Sequence, residues 1–368
     1  MWTNIRILKV LHLINWLATG GAEKLIIDTI PILSEQKDLE IDLALLDATE
    51  YPFYRDFKIT NKLSEIFELS KGSVYNPLLI FKIIPLLKKY DIVHVHLFPA
   101  LYWAAIAKMI SFSKTKLIFT EHSTNNRRLS DPKFRFVDKF IYKFYSKIIC
   151  ISPEVKKQIE VMLKIPVNKL EVVTNGIDVE KIGRALPAQR ADFNYSNEDV
   201  ILIMVAGFRI EKDHETLIGA VKELPSNYKL LLVGDGYRRK EIEDFINKID
   251  VVSRVCLAGI RMDVPSLLKM SDVAVLSSHW EGFGLAAAEA MAAGIPVIAS
   301  NVEGLSQVVD GGGLLFEKGN VEELKNNVLS VTQNKDYYES LVANGRKKVL
   351  EYDINELVKK TAGIYQCL

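Results

Sequence analysis

Short apolar strands alternate with helical segments along the whole chain, and this alternation constrains the fold more than any other feature. A first series of predicted strands covers residues 5–13, 41–46, 92–96, 117–120 and 148–151. A second series covers residues 200–205, 229–233, 255–258, 273–276 and 295–299. Strands separated by helices form parallel sheets, and 368 residues exceed what one hydrophobic core usually fills. The sequence therefore predicts an α/β protein with two domains, residues 1–185 and 186–349.

Composition is that of an ordinary soluble protein. Hydrophobic residues make up 49% of the chain and charged residues 25%. No apolar run reaches the roughly eighteen residues that a membrane span requires, and the polar groups among the first residues suit a buried strand better than a secretion signal. The three cysteines are widely spaced, which indicates neither a disulfide framework nor a zinc site. We therefore expect a cytoplasmic protein.

The segment 281–300, EGFGLAAAEAMAAGIPVIAS, carries the most informative local chemistry. Glu281 lies in a loop after the predicted strand 273–276, and Glu289 lies a turn into the helix predicted over 285–293. The N–H groups at Gly284 and Leu285 open this helix, where the backbone dipoles favour a diphosphate. Because carboxylates repel phosphate, we expect both glutamates to accept hydrogen bonds from sugar and ribose hydroxyls. The pattern predicts a site for a negatively charged nucleotide ligand; the alternative is a pair of solvated charges near a helix end.

Together with several motifs spread along the chain, the two glutamates resemble the signature of retaining glycosyltransferases of the GT-B fold, family 4. Gly20-Gly21-Ala22-Glu23 is similar to the family's N-terminal glycine loop, His122 to its acceptor-domain histidine, residues 175–178 to its interdomain motif and Gly234-Asp235-Gly236 to a turn of its nucleotide domain. The resemblance implies two facing Rossmann-like domains with parallel sheets. It also implies that a last helix, at about 350–368, packs back on the first domain, and that the donor is a nucleotide sugar, for which we expect a UDP-sugar.

The resemblance and the residues together predict the catalytic groups. Arg209 and Lys212 follow the predicted strand 200–205, where positive charge would stabilise the departing diphosphate. Lys212 aligns with the family pattern, whereas the usual arginine position is Gly207 and Arg209 comes two residues late. Glu281 and His122 complete the predicted catalytic set, His122 because its family counterpart contacts the transferred sugar in the interdomain cleft. A solvated loop with ordinary charges is the alternative interpretation of residues 206–214.

The predicted donor-binding residues lie in loops that follow strands. We expect the backbone near Ile260 and Arg261 to contact the base and Glu289 to contact the ribose. The full donor-binding set consists of Gly20, Gly21, Gly207, Gly234, Ile260, Arg261, Gly282, Phe283, Gly284, Leu285 and Glu289.

No metal and no cofactor are expected. His94 and His96 alternate within a strand, so they share one face and could ligate a metal, but without a third ligand a packed or cleft-lining pair is favoured. No Asp-x-Asp motif occurs in the chain, which argues against a divalent-metal clamp on the diphosphate. The resemblance implies retention of configuration by front-face displacement, in which the leaving phosphate takes the acceptor's proton.

Charge is distributed unevenly, with a net +7 over residues 1–185 and −6 over residues 186–368. The segment 127–147 carries seven basic, two acidic and six aromatic residues. Lys139, Lys143 and Lys147 recur every four residues, which predicts one face of a helix resting on an anionic membrane. The alternative is a core-packing helix whose lysines are merely solvated. We expect peripheral attachment to the inner face of the membrane, and no nucleic-acid partner.

The predicted activity is transfer of a hexose or N-acetylhexosamine from a UDP-sugar to a lipid-linked or surface-polysaccharide acceptor. A nucleotide-sugar 2-epimerase would share the two-domain architecture but would not need a basic helix that contacts a membrane. A non-catalytic sugar-nucleotide sensor is a further alternative. An NAD-dependent oxidoreductase is disfavoured because no complete G-x-G-x-x-G fingerprint is present.

Overall fold

The structure is a computed structural model that describes residues 6–61, 64–122 and 127–368. The chain divides into two units, one formed by residues up to Gly176 together with Ile354–Leu368, the other by Ile177–Asp353. Each unit is built on one parallel sheet, of seven strands in the first and six in the second. The α/β fold with two parallel sheets is therefore confirmed. In the part of the chain that the structure describes, no helix combines the length and apolarity of a membrane span.

The sheet of the first unit has the strand order β3-β2-β1-β4-β5-β6-β7. Its strands are β1 Leu8–Ile14, β2 Leu39–Leu45, β3 Ile66–Glu68, β4 Ile92–His96, β5 Lys116–Glu121, β6 Lys147–Cys150 and β7 Leu170–Val172. The helices of this unit that precede Gly176 are α1 Gly21–Ser34, α2 Pro52–Thr60, α3 Leu79–Lys89, α4 Ala100–Ser111, α5 Arg127–Ser130, α6 Pro132–Ile141 and α7 Pro153–Leu163. The final helix of the chain, Ile354–Gln366, packs against α1.

The sheet of the second unit has the strand order β10-β9-β8-β11-β12-β13. Its strands are β8 Val200–Val205, β9 Tyr228–Val233, β10 Val255–Gly259, β11 Val273–Leu276, β12 Val297–Ser300 and β13 Leu314–Phe316. Its helices are α8 Val179–Arg184, α9 His214–Glu223, α10 Arg239–Lys248, α11 Val264–Met270, α12 Leu285–Ala293, α13 Ser306–Val309, α14 Val321–Thr332 and α15 Lys335–Val349. The helix Ile354–Gln366 of the first unit is α16.

The division between the units falls between Gly176 and Ile177 rather than at 185/186. Helix α8 explains the difference, because it packs against α12 and so belongs to the second unit. The predicted first strand also differs from the observed one. The sequence predicts this strand at 5–13, whereas β1 is Leu8–Ile14, and Ile5 lies outside the described residues.

The prediction of one continuous basic helix through residues 127–147 is wrong. The segment contains α5, α6, a 3₁₀ turn at Tyr142–Phe144 and the first residue of β6. Lys139 lies in α6, Lys143 in the 3₁₀ turn and Lys147 in the strand, so the three lysines do not share one helical face. The apolar run that starts at Ile148 pairs with β5 and β7, and this pairing overrides the helical spacing.

Candidate functional site

The carboxyl ends of β8 and β11 lie side by side in the second sheet, and they bring two predicted catalytic residues into contact. The ammonium of Lys212, in the loop after β8, donates a hydrogen bond to Oε1 of Glu281, in the loop after β11. Oγ of Ser278 donates to the same carboxylate oxygen at 3.2 Å. The side chains of Lys212 and Glu281 keep only 20% and 14% of their exposure. This pair stands where ligands of open parallel sheets collect.

Further hydrogen bonds join the same two loops. The backbone N–H of His279 donates to the carbonyl of Glu211 at 2.8 Å. The buried hydroxyl of Ser277 donates to the carbonyl of Asp213 at 2.7 Å. Two loops that are tied by backbone and side-chain bonds hold their charged groups in a fixed geometry, which is a requirement for electrostatic catalysis.

Asp213 connects this loop pair to the start of α9. Its backbone is left-handed, with φ of 48°, and its carboxylate caps α9 by accepting from the N–H and the hydroxyl of Thr216. Nδ1 of His279 lies 3.5 Å from Oδ2 of Asp213. Burial raises the pKa of the Asp213 carboxyl, while the hydrogen bonds from Thr216 and the charge of His279 oppose the increase. Asp213 and His279 therefore position the Lys212 loop, a role the sequence alone did not indicate.

The N-terminus of α12 follows directly after Glu281. Gly284 caps the helix with φ of 89°, a conformation that glycine adopts without steric cost. A side chain at Gly304 would lie 2.4 Å from the carbonyl oxygen of Glu281, so the loop 281–284 packs tightly against the turn at residue 304. Phe283 is buried and meets Tyr352 edge to face at 5.2 Å. These contacts fix the start of α12, where the first N–H groups of a helix, here including that of Leu285, favour an anion.

Glu289 lies one turn further along α12 and is half-buried. The backbone of Glu289 is about one helical pitch, roughly 5 Å, beyond the start of α12. This spacing suits a ligand whose phosphates lie at the helix start and whose hydroxyls reach the next turn.

Two glycine turns approach one another beside the end of β8. A side chain at Gly234, whose φ is 141°, would lie 2.0 Å from the carbonyl oxygen of Ala206. A side chain at Gly236 would lie 2.4 Å from the carbonyl oxygen of Phe208. The segments 206–208 and 234–236, which include Gly207, therefore pack backbone against backbone, and only glycine permits this.

The remaining predicted donor contacts have different environments. Arg209 is 57% exposed, and its Nη1 lies 3.9 Å from Oε1 of Glu211. Ile260 is exposed after the end of β10, and Arg261 forms a two-point ion pair with Asp263 at 2.6 and 2.8 Å. Arg261 also lies over the ring of Phe193, at 5.6 Å from its centroid. The guanidinium of Arg261 is thus already engaged, so its backbone is the part suited to contact a base.

The first unit contains the other predicted residues. Gly20 caps α1, and Gly21 is the first residue of that helix. A side chain at Gly20 would lie 2.3 Å from a carboxylate oxygen of the buried Glu23, whose other oxygen accepts from the indole of Trp16. His122 follows β5 directly, and its Nε2 lies 3.1 Å from Nδ1 of His96.

The sequence shows no third group beside His94 and His96, but the structure brings one close to them. His12 on β1 lies opposite His94 on β4 in the sheet register, and its ring stacks on that of His96 with centroids 5.2 Å apart. Each of the three buried histidines offers a ligand atom within 4.8 Å of the others. His12 was missed because it stands more than eighty residues earlier in the chain, and only the strand order β1-β4-β5 brings it beside His94.

Comparison with known proteins decides the family. Residues 187–348 match the family described as glycosyl transferases group 1, and residues 19–181 match glycosyltransferase family 4. An uncharacterized glycosyltransferase of Methanocaldococcus jannaschii is 30% identical over 347 residues, which cover 91% of this chain and 92% of the relative. The chain belongs to the family 4 glycosyltransferases.

Two further similarities place this glycosyltransferase among proteins of known fold and activity. An Escherichia coli UDP-Gal:α-D-GlcNAc-diphosphoundecaprenol α-1,3-galactosyltransferase is 27% identical over 294 residues, 76% of each chain. The crystal structure of Anabaena HepE in complex with UDP-glucose has a TM-score of 0.85 at 21% identity, and the match covers 98% of this glycosyltransferase and all of that chain. The latter similarity concerns the fold, which is GT-B.

Proposed function

We propose that this glycosyltransferase moves a hexose or N-acetylhexosamine from a UDP-sugar, with retention and without a metal, to a lipid-linked saccharide or a surface-polysaccharide precursor. The contact between Lys212 and Glu281 beside the N-terminus of α12 is the observation that carries this proposal. It joins a cation, a carboxylate and a set of backbone donors in one small region. These are the groups that a diphosphate and a sugar hydroxyl require.

Each group has a distinct role in the proposed reaction. The N–H groups at the start of α12 bind the diphosphate, and the ammonium of Lys212 stabilises the charge that grows as the bond to the sugar breaks. An ammonium has three donors, so Lys212 can hold Glu281 and a phosphate oxygen together. Glu281 then accepts from a hydroxyl of the transferred sugar, and Glu289 accepts from the ribose.

Retention in this account needs no nucleophile from the protein. The acceptor hydroxyl attacks from the face that the diphosphate leaves, and its proton passes to a departing phosphate oxygen. Positive charge at the diphosphate comes from Lys212, assisted by Arg209, and no divalent cation takes part. We propose this front-face displacement because the resemblance to family 4 implies it.

The acceptor class is supported by a relative and by a surface. The E. coli relative named above acts on a diphosphoundecaprenol-linked sugar. In this glycosyltransferase, α6 exposes Phe134, Phe136, Val137 and Phe140, and Phe136 is 79% exposed. Lys133, Lys139 and Lys143 are exposed on the same segment. We call these seven side chains the α6 surface, and we propose that it rests on an anionic membrane.

The α6 surface differs from the membrane segment expected from sequence. The side chain of Arg128 is only 13% exposed, and its guanidinium lies 3.6 Å from Glu121 and 3.7 Å from Asp138. Lys147 forms an ion pair with Glu171 at 2.7 Å. The side chain of Arg127 lies outside the described part of the chain. Helix α4 packs against both α3 and α6, and the exposed Phe81 on α3 and Phe112 after α4 add apolar area on the neighbouring helices.

Vesicle binding tests the α6 surface. Replacing Lys133, Lys139 and Lys143 together by Glu should abolish co-sedimentation with anionic vesicles, because each lysine near such a surface contributes about 1 kcal/mol. The matched control makes the same charge change at exposed lysines of the second unit, Lys222, Lys318 and Lys347. Binding that survives the first triple substitution, or that both triple variants lose equally, contradicts the proposed surface.

The transfer reaction tests the function itself. The protein is incubated with UDP-hexoses and UDP-N-acetylhexosamines, with a polyprenyl-diphosphate-linked saccharide in vesicles as the acceptor. We expect UDP release and a lengthened lipid-linked saccharide with one donor. Formation of an epimer would favour an epimerase, and binding without turnover for every donor would favour a sensor. Release of free sugar with no lengthened acceptor would contradict the proposed acceptor.

A further inference from the structure

Six buried or half-buried side chains of the first unit form one continuous chain of hydrogen bonds. His12 on β1, His94 and His96 on β4, and Thr120 on β5 all come from adjacent strands. Tyr365 on α16 reaches this face of the sheet from the covering helix. We call the set the histidine relay; in order it consists of Thr120, His94, Tyr365, His12, His96 and His122.

The contacts of the histidine relay are specific to individual atoms. Thr120 Oγ1 lies 2.7 Å from His94 Nε2, and His94 Nδ1 lies 2.6 Å from the Tyr365 hydroxyl. The same hydroxyl lies 3.1 Å from His12 Nε2. His12 Nδ1 then lies 3.1 Å from His96 Nε2. With the contact between His96 Nδ1 and His122 Nε2, both ring nitrogens of three histidines are engaged within the relay.

Every member of the relay is uncharged near neutral pH. Burial lowers the pKa of His12 to about 3 and that of His122 to about 4. Burial, reinforced by the neighbouring imidazoles, also lowers the pKa values of His94 and His96 well below their usual range. Burial raises the pKa of Tyr365 well above its usual range. Each imidazole therefore carries one N–H and one lone pair, and Tyr365 keeps its O–H.

These constraints leave two arrangements of the protons. In the first, Tyr365 donates to His94 and accepts from Nε2–H of His12, so His96 and His122 also carry their protons on Nε2. In the second, Tyr365 donates to His12 and every bond reverses, so His122 carries its proton on Nδ1. The direction in which one phenol hydroxyl points thus determines whether Nδ1 of His122 is an acceptor or a donor.

The distances favour the first arrangement. A hydroxyl that donates forms a shorter bond than a ring N–H that donates to oxygen, by about 0.2 Å. The Tyr365 oxygen is 2.6 Å from His94 and 3.1 Å from His12, as expected if it donates to the former and accepts from the latter. The 2.7 Å contact between His94 and Thr120 is at the short limit for the N–H donor that the first arrangement requires. The 0.5 Å difference between the two contacts of the Tyr365 hydroxyl is therefore the observation on which the choice of arrangement rests.

We propose that Tyr365 is a positioning residue that fixes the ring tautomer of His122 through the histidine relay and so presents Nδ1 of His122 as an acceptor. This inference rests on the proposed function only through the role that the resemblance to family 4 implies for His122, which is contact with the transferred sugar. There, an acceptor nitrogen would receive a hydrogen bond from a sugar hydroxyl. The tautomer itself is a property of the free protein and can be measured without substrate.

Tyr365→Phe removes the hydroxyl and keeps the ring, which packs edge-on against His94 at 5.7 Å. Nothing then directs the protons of His12, His96 and His122, and we expect both tautomers. Long-range ¹H–¹⁵N correlation spectra of histidine-labelled protein report the tautomer of each ring. The parent should show His122 protonated on Nε2 alone, and the variant should show a mixture.

The matched control is Tyr145→Phe, which removes another fully buried hydroxyl of the same unit, bonded to the carbonyl of Leu101, and should leave the tautomer of His122 unchanged.

Thr120→Val provides a second, independent variant if Tyr365→Phe folds poorly. Valine offers no acceptor, so in the first arrangement the Nε2–H of His94 would have no hydrogen-bond partner. The protons should therefore adopt the second arrangement, in which His122 carries its proton on Nδ1. Where transfer is measurable, Tyr365→Phe should lower kcat about twofold, since about half of the molecules keep the competent tautomer, and leave KM for the UDP-sugar unchanged.

Several results would overturn the proposal. These are a parent His122 protonated on Nδ1, a His122 tautomer that neither variant alters, or one zinc ion per chain by elemental analysis, since a metal held by His12, His94 and His96 would replace the relay protons. An unchanged kcat with the expected tautomer shift would instead count against the role of His122 in the proposed reaction.

Discussion

Replacing Lys212 by Met separates electrostatic catalysis from structural support in the donor site. Met keeps the length of the side chain and removes the charge that pairs with Glu281. One preorganised electrostatic group contributes about 10²- to 10³-fold to kcat, or roughly 2.7 to 4 kcal/mol. We therefore expect kcat for transfer to fall by about that factor, measured as acceptor-dependent UDP release.

The same substitution has a separate effect on folding. Breaking a fully buried ion pair costs about 3 to 5 kcal/mol, and an exposed pair is worth at most about 1 kcal/mol. With the side chains of Lys212 and Glu281 at 20% and 14% exposure, we expect Lys212→Met to lower the free energy of unfolding by about 1 to 3 kcal/mol. Adding Glu281→Gln removes the carboxylate charge left beside the substitution, so the double variant should regain most of this stability.

Activity should not follow stability in this pair of variants. The double variant should be as slow as Lys212→Met or slower, because neither charge is present when the bond to the sugar breaks. Lys325→Met is the matched control, since Lys325 pairs with Glu223 and Glu322 in the same unit and should leave kcat unchanged. A Lys212→Met enzyme within threefold of the parent, or a double variant that regains turnover, would refute the assignment of Lys212 to the diphosphate.

Three further predictions follow from the site and the histidine relay. Glu289→Gln should weaken UDP binding by about ten- to a hundredfold in calorimetry, because a charged acceptor for the ribose is lost; unchanged affinity would contradict that contact. Arg209→Ala should lower kcat less than Lys212→Met does, since Arg209 is 57% exposed, and the reverse order would exchange their roles. Acid should destabilise the first unit, because burial lowers the pKa values of its histidines in the folded state. Below about pH 6.5 the unfolded chain therefore binds more protons than the folded chain. As a result, the free energy of unfolding should fall as the pH drops from about 6.5 towards 4. Each such histidine should cost about 2 kcal/mol at pH 5 relative to pH 7, measured by urea unfolding, and a pH-independent midpoint would contradict the burial of these rings.

Periodicity and strand chemistry predicted most of the fold. The bounds predicted for Val200–Val205, Val273–Leu276 and Ile92–His96 are those observed, because each is a buried run flanked by clear turn signals. The three-residue strands Ile66–Glu68, Leu170–Val172 and Leu314–Phe316 were missed. Strands this short carry no detectable alternation, and they form only because a neighbouring strand offers hydrogen-bonding partners.

The arrangement of the candidate site was predicted in part, and the missing part has a physical reason. Sequence indicated Lys212 and Glu281 because each follows a strand of one parallel sheet. It could not indicate His12 or Tyr365 as neighbours of His94, because only strand order and the docking of α16 bring them together. The four-residue spacing of Lys139, Lys143 and Lys147 gave a wrong prediction of one helical face for the same reason. Lys147 pairs with β5 in the sheet, and a local helical spacing cannot indicate this pairing.

The anomeric configuration of the product, made in the presence of EDTA, tests the central claim most directly. The product of an α-linked UDP-sugar is isolated and its new linkage is assigned from the anomeric coupling constant. Front-face attack on the sugar predicts an α-linked product, and stabilisation of the diphosphate by Lys212 and the N-terminus of α12, without a metal, predicts the same rate with and without the chelator. A β-linked product, or activity that EDTA removes and Mg²⁺ restores, would contradict it.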